Sequence, residues 1–202
     1  MRQTARTAYS VTAVLALCVV ATGCVKFGSK PPAQLLAISA TASPQAGQTV
    51  SSAGRPVLAV FAPDVPRKID TLRIAVQADA TSVAYVEKAQ WAEPPRQMFR
   101  RVLGDTIAAD GTIFVADGEQ SAILKGRRLA GSLVEFGIDA RTREAVVTYD
   151  ATLTSATPGE AMRQRFTARV PVRKIEADRV AGPISEAANK VAADVAAWVR
   201  AN

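Results

Sequence analysis

No histidine occurs among the 202 residues of the chain. That absence removes the commonest general base, the Ser-His-Asp triad and most transition-metal sites. Cysteine is nearly as scarce. Cys18 and Cys24 are the only two, so everything after residue 24 lacks both a thiol and a disulfide. Aromatic residues make up 5% of the chain, too few for the stacking platforms of single-stranded nucleic-acid binders. No phosphate-cradling glycine motif, EF-hand spacing or Cys-x-x-Cys pair is present. Asp110-Gly111 and Asp117-Gly118 bracket a short strand and read as turn chemistry, not as a carboxylate dyad. The expectation is a non-enzyme with no metal and no cofactor. Long apolar runs are also missing: the strongest, Val11 to Val20, is ten residues, against the roughly 20 that span a bilayer.

What is present at the start is a secretory pattern. Arg2 and Arg6 precede an uncharged stretch from Thr7 to Gly23, and small residues at Ala21 and Gly23 lead into Cys24. Val20-Ala21-Thr22-Gly23-Cys24 resembles a lipobox, the cleavage signal of bacterial lipoproteins. The resemblance implies a diacylglycerol thioether on Cys24, cleavage before it, and an acyl chain such as palmitate on the new amino group. Two other readings stay open: ordinary secretory cleavage, which leaves Cys24 a free thiol, and an uncut apolar anchor. With residues 1–23 as a lipoprotein signal peptide, 179 residues remain, enough for one domain with a real core. The net charge falls from +7 to +5 because Arg2 and Arg6 leave. Moderate basicity outside the cytoplasm suits an anionic membrane surface, and nucleic acid is a poor partner for an exported protein.

Residues 24–33 read as a tether, with Lys26, Gly28, Ser29, Lys30 and Pro31-Pro32, and residues 34–202 as a single periplasmic domain. Fully extended, such a tether reaches about 35 Å. Gln34 to Ala40 is a candidate first strand, and Thr41 to Arg55 is a small-residue polar loop. Pro56 to Phe61 is a continuous apolar run, the pattern of a strand buried on both faces. Leu72, Ile74 and Val76 alternate with polar residues as a half-buried strand, Asp79-Ala80-Thr81 breaks it, and Val83 to Val86 is a further short strand. Pro94-Pro95 opens a helix on which Met98, Phe99, Val102, Leu103 and Ile107 share one face. Arg96, Arg100 and Arg101 make the opposite face basic, either as a contact for an anionic lipid or partner or simply as a solvated face. Thr112 to Ala116 is another strand.

These features resemble a family. A Cys-anchored tether, a Leu-Leu strand, a proline-flanked β run and a Tyr-x5-Trp-Ala-x-Pro-Pro segment (Tyr85 to Pro95) are similar to the ABC-type transport auxiliary lipoproteins, the PqiC-like partners of MCE-domain lipid-transport systems. The best anchors are Tyr85, Trp91, Ala92 and Pro95. The resemblance implies a lipid-anchored periplasmic domain, commonly at the outer membrane, that assists an ABC permease and ATPase together with an MCE protein. It also implies phospholipid as a ligand to consider. Trp91 is then either a partner or lipid contact or a packing residue.

The second half reads as antiparallel strands. Ala130, Val134, Phe136 and Ile138 fall on one side of a strand, with Gly131, Leu133, Glu135, Gly137 and Asp139 on the other. Ala145, Val147, Tyr149, Ala151 and Leu153 alternate with a wetter set, and after a Pro158-Gly159 turn Gln164, Phe166, Ala168 and Val170 alternate with Arg163, Arg165, Thr167 and Arg169. The stripe of Arg163, Arg165 and Arg169 either meets phosphate groups or an acidic partner, or keeps an exposed strand from aggregating. A last helix over Pro183–Arg200 carries an apolar stripe of Ile184, Ala188, Val191, Val195, Trp198 and Val199. The expected fold class is α+β: a mostly antiparallel sheet with two main amphipathic helices laid on it. By resemblance the fold is related to the TolB amino-terminal domain. The expected function is that of a transport auxiliary lipoprotein, or else a structural or assembly lipoprotein of another envelope complex.

Overall fold

The computed structural model describes residues 34–118, 125–155 and 159–202. The signal peptide, Cys24, the tether and Pro158 lie outside the described residues. The described residues fall in one compact unit. Its strands are β1 (Gln34–Leu36), β2 (Val57–Val60), β3 (Arg73–Gln77), β4 (Val83–Trp91), β5 (Phe114–Asp117), β6 (Arg127–Asp139), β7 (Glu144–Thr154) and β8 (Ala161–Pro171). Its helices are α1 (Pro95–Ala108) and α2 (Ala181–Ala201).

All eight strands form one sheet, and the long strand β6 is its spine. One edge of β6 pairs antiparallel with β7 along nearly its whole length. The other edge takes two strands in succession, both parallel: β2 against Arg127 to Leu129 and β3 against Gly137 to Asp139. A bridge between Asp64 and Ser132 ties the intervening loop to the middle of β6. β5 then adds parallel to β2, β4 antiparallel to β3, and β1 parallel to β4. On the far side β8 pairs antiparallel with β7 through eleven unbroken residue pairs. The α+β class expected from the sequence is the class observed. Antiparallel pairing dominates by length through β6, β7 and β8, while the short N-terminal strands join mostly in parallel.

Both helices lie against the same face. Phe99 of α1 meets Tyr149 of β7 edge-on at 5.2 Å, and Trp198 of α2 meets Phe166 of β8 at 5.6 Å. Helix α1 starts at Pro95, where the missing N–H costs nothing in a first turn. It ends before Gly111, whose φ of +68° lets the chain turn back. Met98, Phe99, Val102, Leu103 and Ile107 are buried, as the helical spacing requires. On α2, Ala187, Ala188, Ala192 and Ala196 bring the helix close to the sheet beside Ile184, Val191, Val195 and Val199. Asn189 pins the loop after β1 to this helix. Its Oδ1 accepts from Thr41 N at 2.8 Å, and its Nδ2 donates to Ser39 O at 2.9 Å.

Two strands depart from strict alternation, and each departure corrects a sequence reading. β4 is one nine-residue strand reaching Trp91, not a short strand ending at Val86. Lys88 has φ +58°, and the register with β3 slips there, so Ala89 and Trp91 turn to the core, whereas period two from Val83 would leave them on the open face with Tyr85. β6 slips between Leu133 and Glu135. Leu129 and Leu133 therefore face the core with Phe136 and Ile138, whereas simple alternation puts Leu133 on the other side.

Trp91 is 0% exposed and lies 5.6 Å from the ring of Phe136. A partner or lipid contact through Trp91 is thus corrected: the ring is central packing, and no surface ligand reaches it. Trp91→Ala is expected to destabilise the domain by about 4 kcal/mol, from lost burial plus the cavity left behind. Trp91→Phe is expected to cost well under half of that. Denaturant titrations of the two variants check this, and a cost below about 1 kcal/mol for the alanine variant contradicts the packing role.

Candidate functional site

With both helices on one side, the second sheet face is, among the described residues, left to side chains. Its composition follows from the register. Tyr85, Ala75, Gly137, Val146 and Arg169 form one continuous row across β4, β3, β6, β7 and β8. Small residues hold the centre, where Gly137 lies so close to the β3 backbone that a Cβ there would meet the carbonyl oxygen of Ala75. The neighbouring row is Glu135, Thr148 and Thr167, and beyond it Asp150 lies opposite Arg165. At the β3–β4 end, the Arg73 guanidinium covers the Tyr85 ring at 3.8 Å.

The charged half of this face is an ordered ladder. Arg165 donates from Nε to Asp150 Oδ1 at 2.6 Å and from Nη2 to Oδ2 at 2.7 Å, a two-point clamp. Arg163 Nη2 adds a third bond to Oδ2 at 3.2 Å. Arg169 Nη1 donates to Glu144 Oε2 at 3.2 Å and lies 3.8 Å from Asp139 Oδ2. Thr148 Oγ1 donates to Glu135 Oε2 at 2.7 Å and shares a bond with Thr167 Oγ1 at 3.1 Å. Asp150 is the buried member: its side chain is 8% exposed, whereas those of Arg163 and Arg165 are 68% and 62% exposed. The Arg165 guanidinium holds the Asp150 carboxyl below the ordinary carboxylate range, and Asp150 in turn raises Arg165.

The arginine stripe therefore sits on an uncovered face, as alternation requires, but its guanidinia are already engaged by carboxylates. Those carboxylates, Asp150, Glu144 and Asp139, are the residues that sequence reasoning missed. Part of a signal for Asp150 existed: alternation puts Asp150 and the three arginines on one face, and the observed register supplies the pairing of Asp150 with Arg165. The basic set on α1 is not brought to the stripe, because α1 packs on the opposite face. Arg96 lies 3.6 Å from Asp70, and Arg101 is clamped on both oxygens of Glu93 at 2.8 Å. Arg100 is half-buried and borders a cleft of about 600 Å³ with Phe61, Gln97, Arg101 and Gly118. Among the described residues no cluster of His, Cys, Asp and Glu has metal-binding geometry, and no helix is long and apolar enough to cross a membrane. Cys24 lies outside the described residues.

Fold and face together define a small α+β module with one helix-covered side and one open, charged side. The chain belongs to the ABC-type transport auxiliary lipoprotein component family, whose model matches residues 37–196. Among solved structures it is similar to the crystal structure of protein XCC0632 from Xanthomonas campestris, of family DUF330. That match has 21% identity over 82% of this chain and 94% of that one, with a TM-score of 0.68. It is also similar to a crystal structure of an uncharacterized protein, at 14% identity over 82% of this chain and 99% of that one, with a TM-score of 0.64. These likenesses show the fold. No curated protein matches the chain.

The Asp150 clamp sets a pH dependence. Because its folded-state pKa is lowered, its contribution is present above the unfolded value near 4 and is lost as pH falls through the folded value. Asp150→Asn is expected to be about 2 kcal/mol less stable than the wild type at neutral pH, with the gap closing below about pH 4. Urea midpoints across pH check this; a gap independent of pH contradicts it.

Proposed function

We propose that the chain is a non-enzymatic lipoprotein that docks a partner of an MCE-type ABC lipid transporter on the periplasmic side of the cell envelope. The family match over residues 37–196 is the observation that carries this reading. In it, residues 1–23 are removed, Cys24 bears the diacylglycerol and N-acyl chains, and residues 24–33 tether the domain of residues 34–202 to the membrane, in our reading the outer one. A tether of that length keeps the domain within about 35 Å of the bilayer. The protein needs no cofactor beyond its covalent lipid. Phospholipid, as cargo or as a surface, is its second partner class after protein. The absence of histidine, the engagement of Asp150 by Arg163 and Arg165, and that of Arg169 by Glu144 support a binding role over catalysis.

The test is an affinity pull-down of detergent-solubilised chain from its own host, with proteins and lipids identified by mass spectrometry. Expected are an MCE-domain protein with its permease or ATPase, and an intact mass that begins at acylated Cys24. Recovery of a different envelope complex instead overturns the transport reading, and an unacylated Cys24 overturns the anchor.

A further inference from the structure

Among the described strands β8 is the longest edge. It pairs only with β7, carries no bulge, and has no proline before its last residue. Its open side is a run of main-chain donors and acceptors whose phase can be read. Val172 N–H donates to Arg143 O at 2.8 Å and Ser155 N–H to Glu160 O at 3.0 Å. Those two bonds bracket an unbroken register, so even-numbered residues of β8 turn their main-chain groups toward β7. Arg163, Arg165, Thr167 and Arg169 turn theirs to the open edge. The residues that carry the charge also offer the free backbone.

We infer that the β8 edge accepts an extended segment of a partner protein as a ninth strand, with acidic residues set beside Arg163 and Arg165 and apolar residues between them. This deepens the partner-docking reading above and rests on it. The acidic half follows from the charges. Arg163 and Arg165 stand on the edge strand itself and both bond one carboxylate, Asp150, a strand further in, with Glu135 a weaker attraction on Arg165; both guanidinia stay more than 60% exposed beside the open edge. Arg169 already lies between Asp139 and Glu144, so the demand for an acid is at the Arg163–Arg165 end. The apolar half follows from the other face of the same strand. Met162 is 42% exposed there, beside a notch of about 390 Å³ bounded by Leu153, Arg127 and Asn202 where α2 ends. Strand addition of this kind takes affinity from the backbone and specificity from alternate side chains.

A second copy paired symmetrically through its own β8 is the wrong occupant. Symmetric antiparallel pairing of β8 with itself, centred on any residue from Gln164 to Thr167, sets arginine opposite arginine. The pairs are Arg163 with Arg165, Arg165 with Arg165, Arg163 with Arg169, and Arg165 with Arg169. Like charges directly opposite are destabilising. The same residues that suit an acidic strand therefore oppose a homotypic one.

The probe is an end-blocked synthetic peptide of alternating glutamate and valine, with a lysine and valine peptide as its counterpart, added to the purified chain in detergent. Hydrogen exchange read residue by residue is expected to slow at Arg163, Arg165, Thr167 and Arg169 with the glutamate peptide only. Arg163→Glu, which leaves Arg165 on Asp150, is expected to weaken the peptide at least tenfold. Thr167→Pro, which removes an outward N–H that the β7 ladder does not use, is expected to abolish the protection while the rest of the sheet keeps its own. Equal binding of the lysine peptide, protection elsewhere, or dimerisation through β8 overturns the inference. Because the probe is not a transporter protein, a positive result here stands even if the pull-down returns a different envelope complex.

Discussion

The structure depends on β6 being long enough to hold two strands end to end on one edge. β2 and β3 occupy successive halves of that edge, and β7 runs along the other. Every remaining strand hangs from one of these: β5 from β2, β4 and through it β1 from β3, and β8 from β7. Two consequences follow. The slip between Leu133 and Glu135 must fall between the two halves, because it changes which side chains face the helices. And the core-facing side of β7, from Ala145 to Leu153, becomes the platform on which α2 lies.

Among the described residues, two helices cover one face and none covers the other. That face remains ordered without apolar cover because its long side chains are fixed by one another. Asp150 is shielded by Arg163 and Arg165, Thr148 bridges Glu135 and Thr167, and Val146 is buried in the row ending at Arg169. Asp150 differs from its exposed partners in what its loss leaves behind. Without it, two well-solvated guanidiniums remain; without them, a buried carboxylate is stranded, which is the costlier defect. The ladder is thus a local scaffold first. The two exposed guanidinia at the β8 edge are what give it directional chemistry toward another chain. The aggregation-opposing reading of the arginine stripe and the partner-docking reading describe the same residues against two different occupants.

Much of this was legible in the amino-acid order. The continuous run from Pro56 to Phe61 became a strand paired on both sides, and the alternation of β7 and β8 gave their faces correctly. Both helices were marked by prolines and by apolar stripes at helical spacing. What was hidden lay at the two register slips. Period two carries no trace of a residue with positive φ such as Lys88, so the strand leading to Trp91 read as a shorter one, and Leu133 was assigned to the wrong side. Parallel pairing of β2, β3 and β5 was equally invisible, since partners distant in sequence leave no local pattern. Of the candidate site, the arginines were found and their carboxylates were not. Trp91 was found, but burial makes it a core residue rather than a contact.

The central claim is that the free domain has a rigid β6–β7 spine, covered on one face, beside an unpaired β8 edge. Native-state hydrogen exchange of the chain alone tests it most directly. Amides of β6, β7 and the buried side of α2 are expected to exchange only by global unfolding, while Arg163, Arg165, Thr167 and Arg169 exchange far faster than Gln164, Phe166 and Ala168 between them. Uniform protection along β8 would mean that its edge is already covered, and would contradict the account.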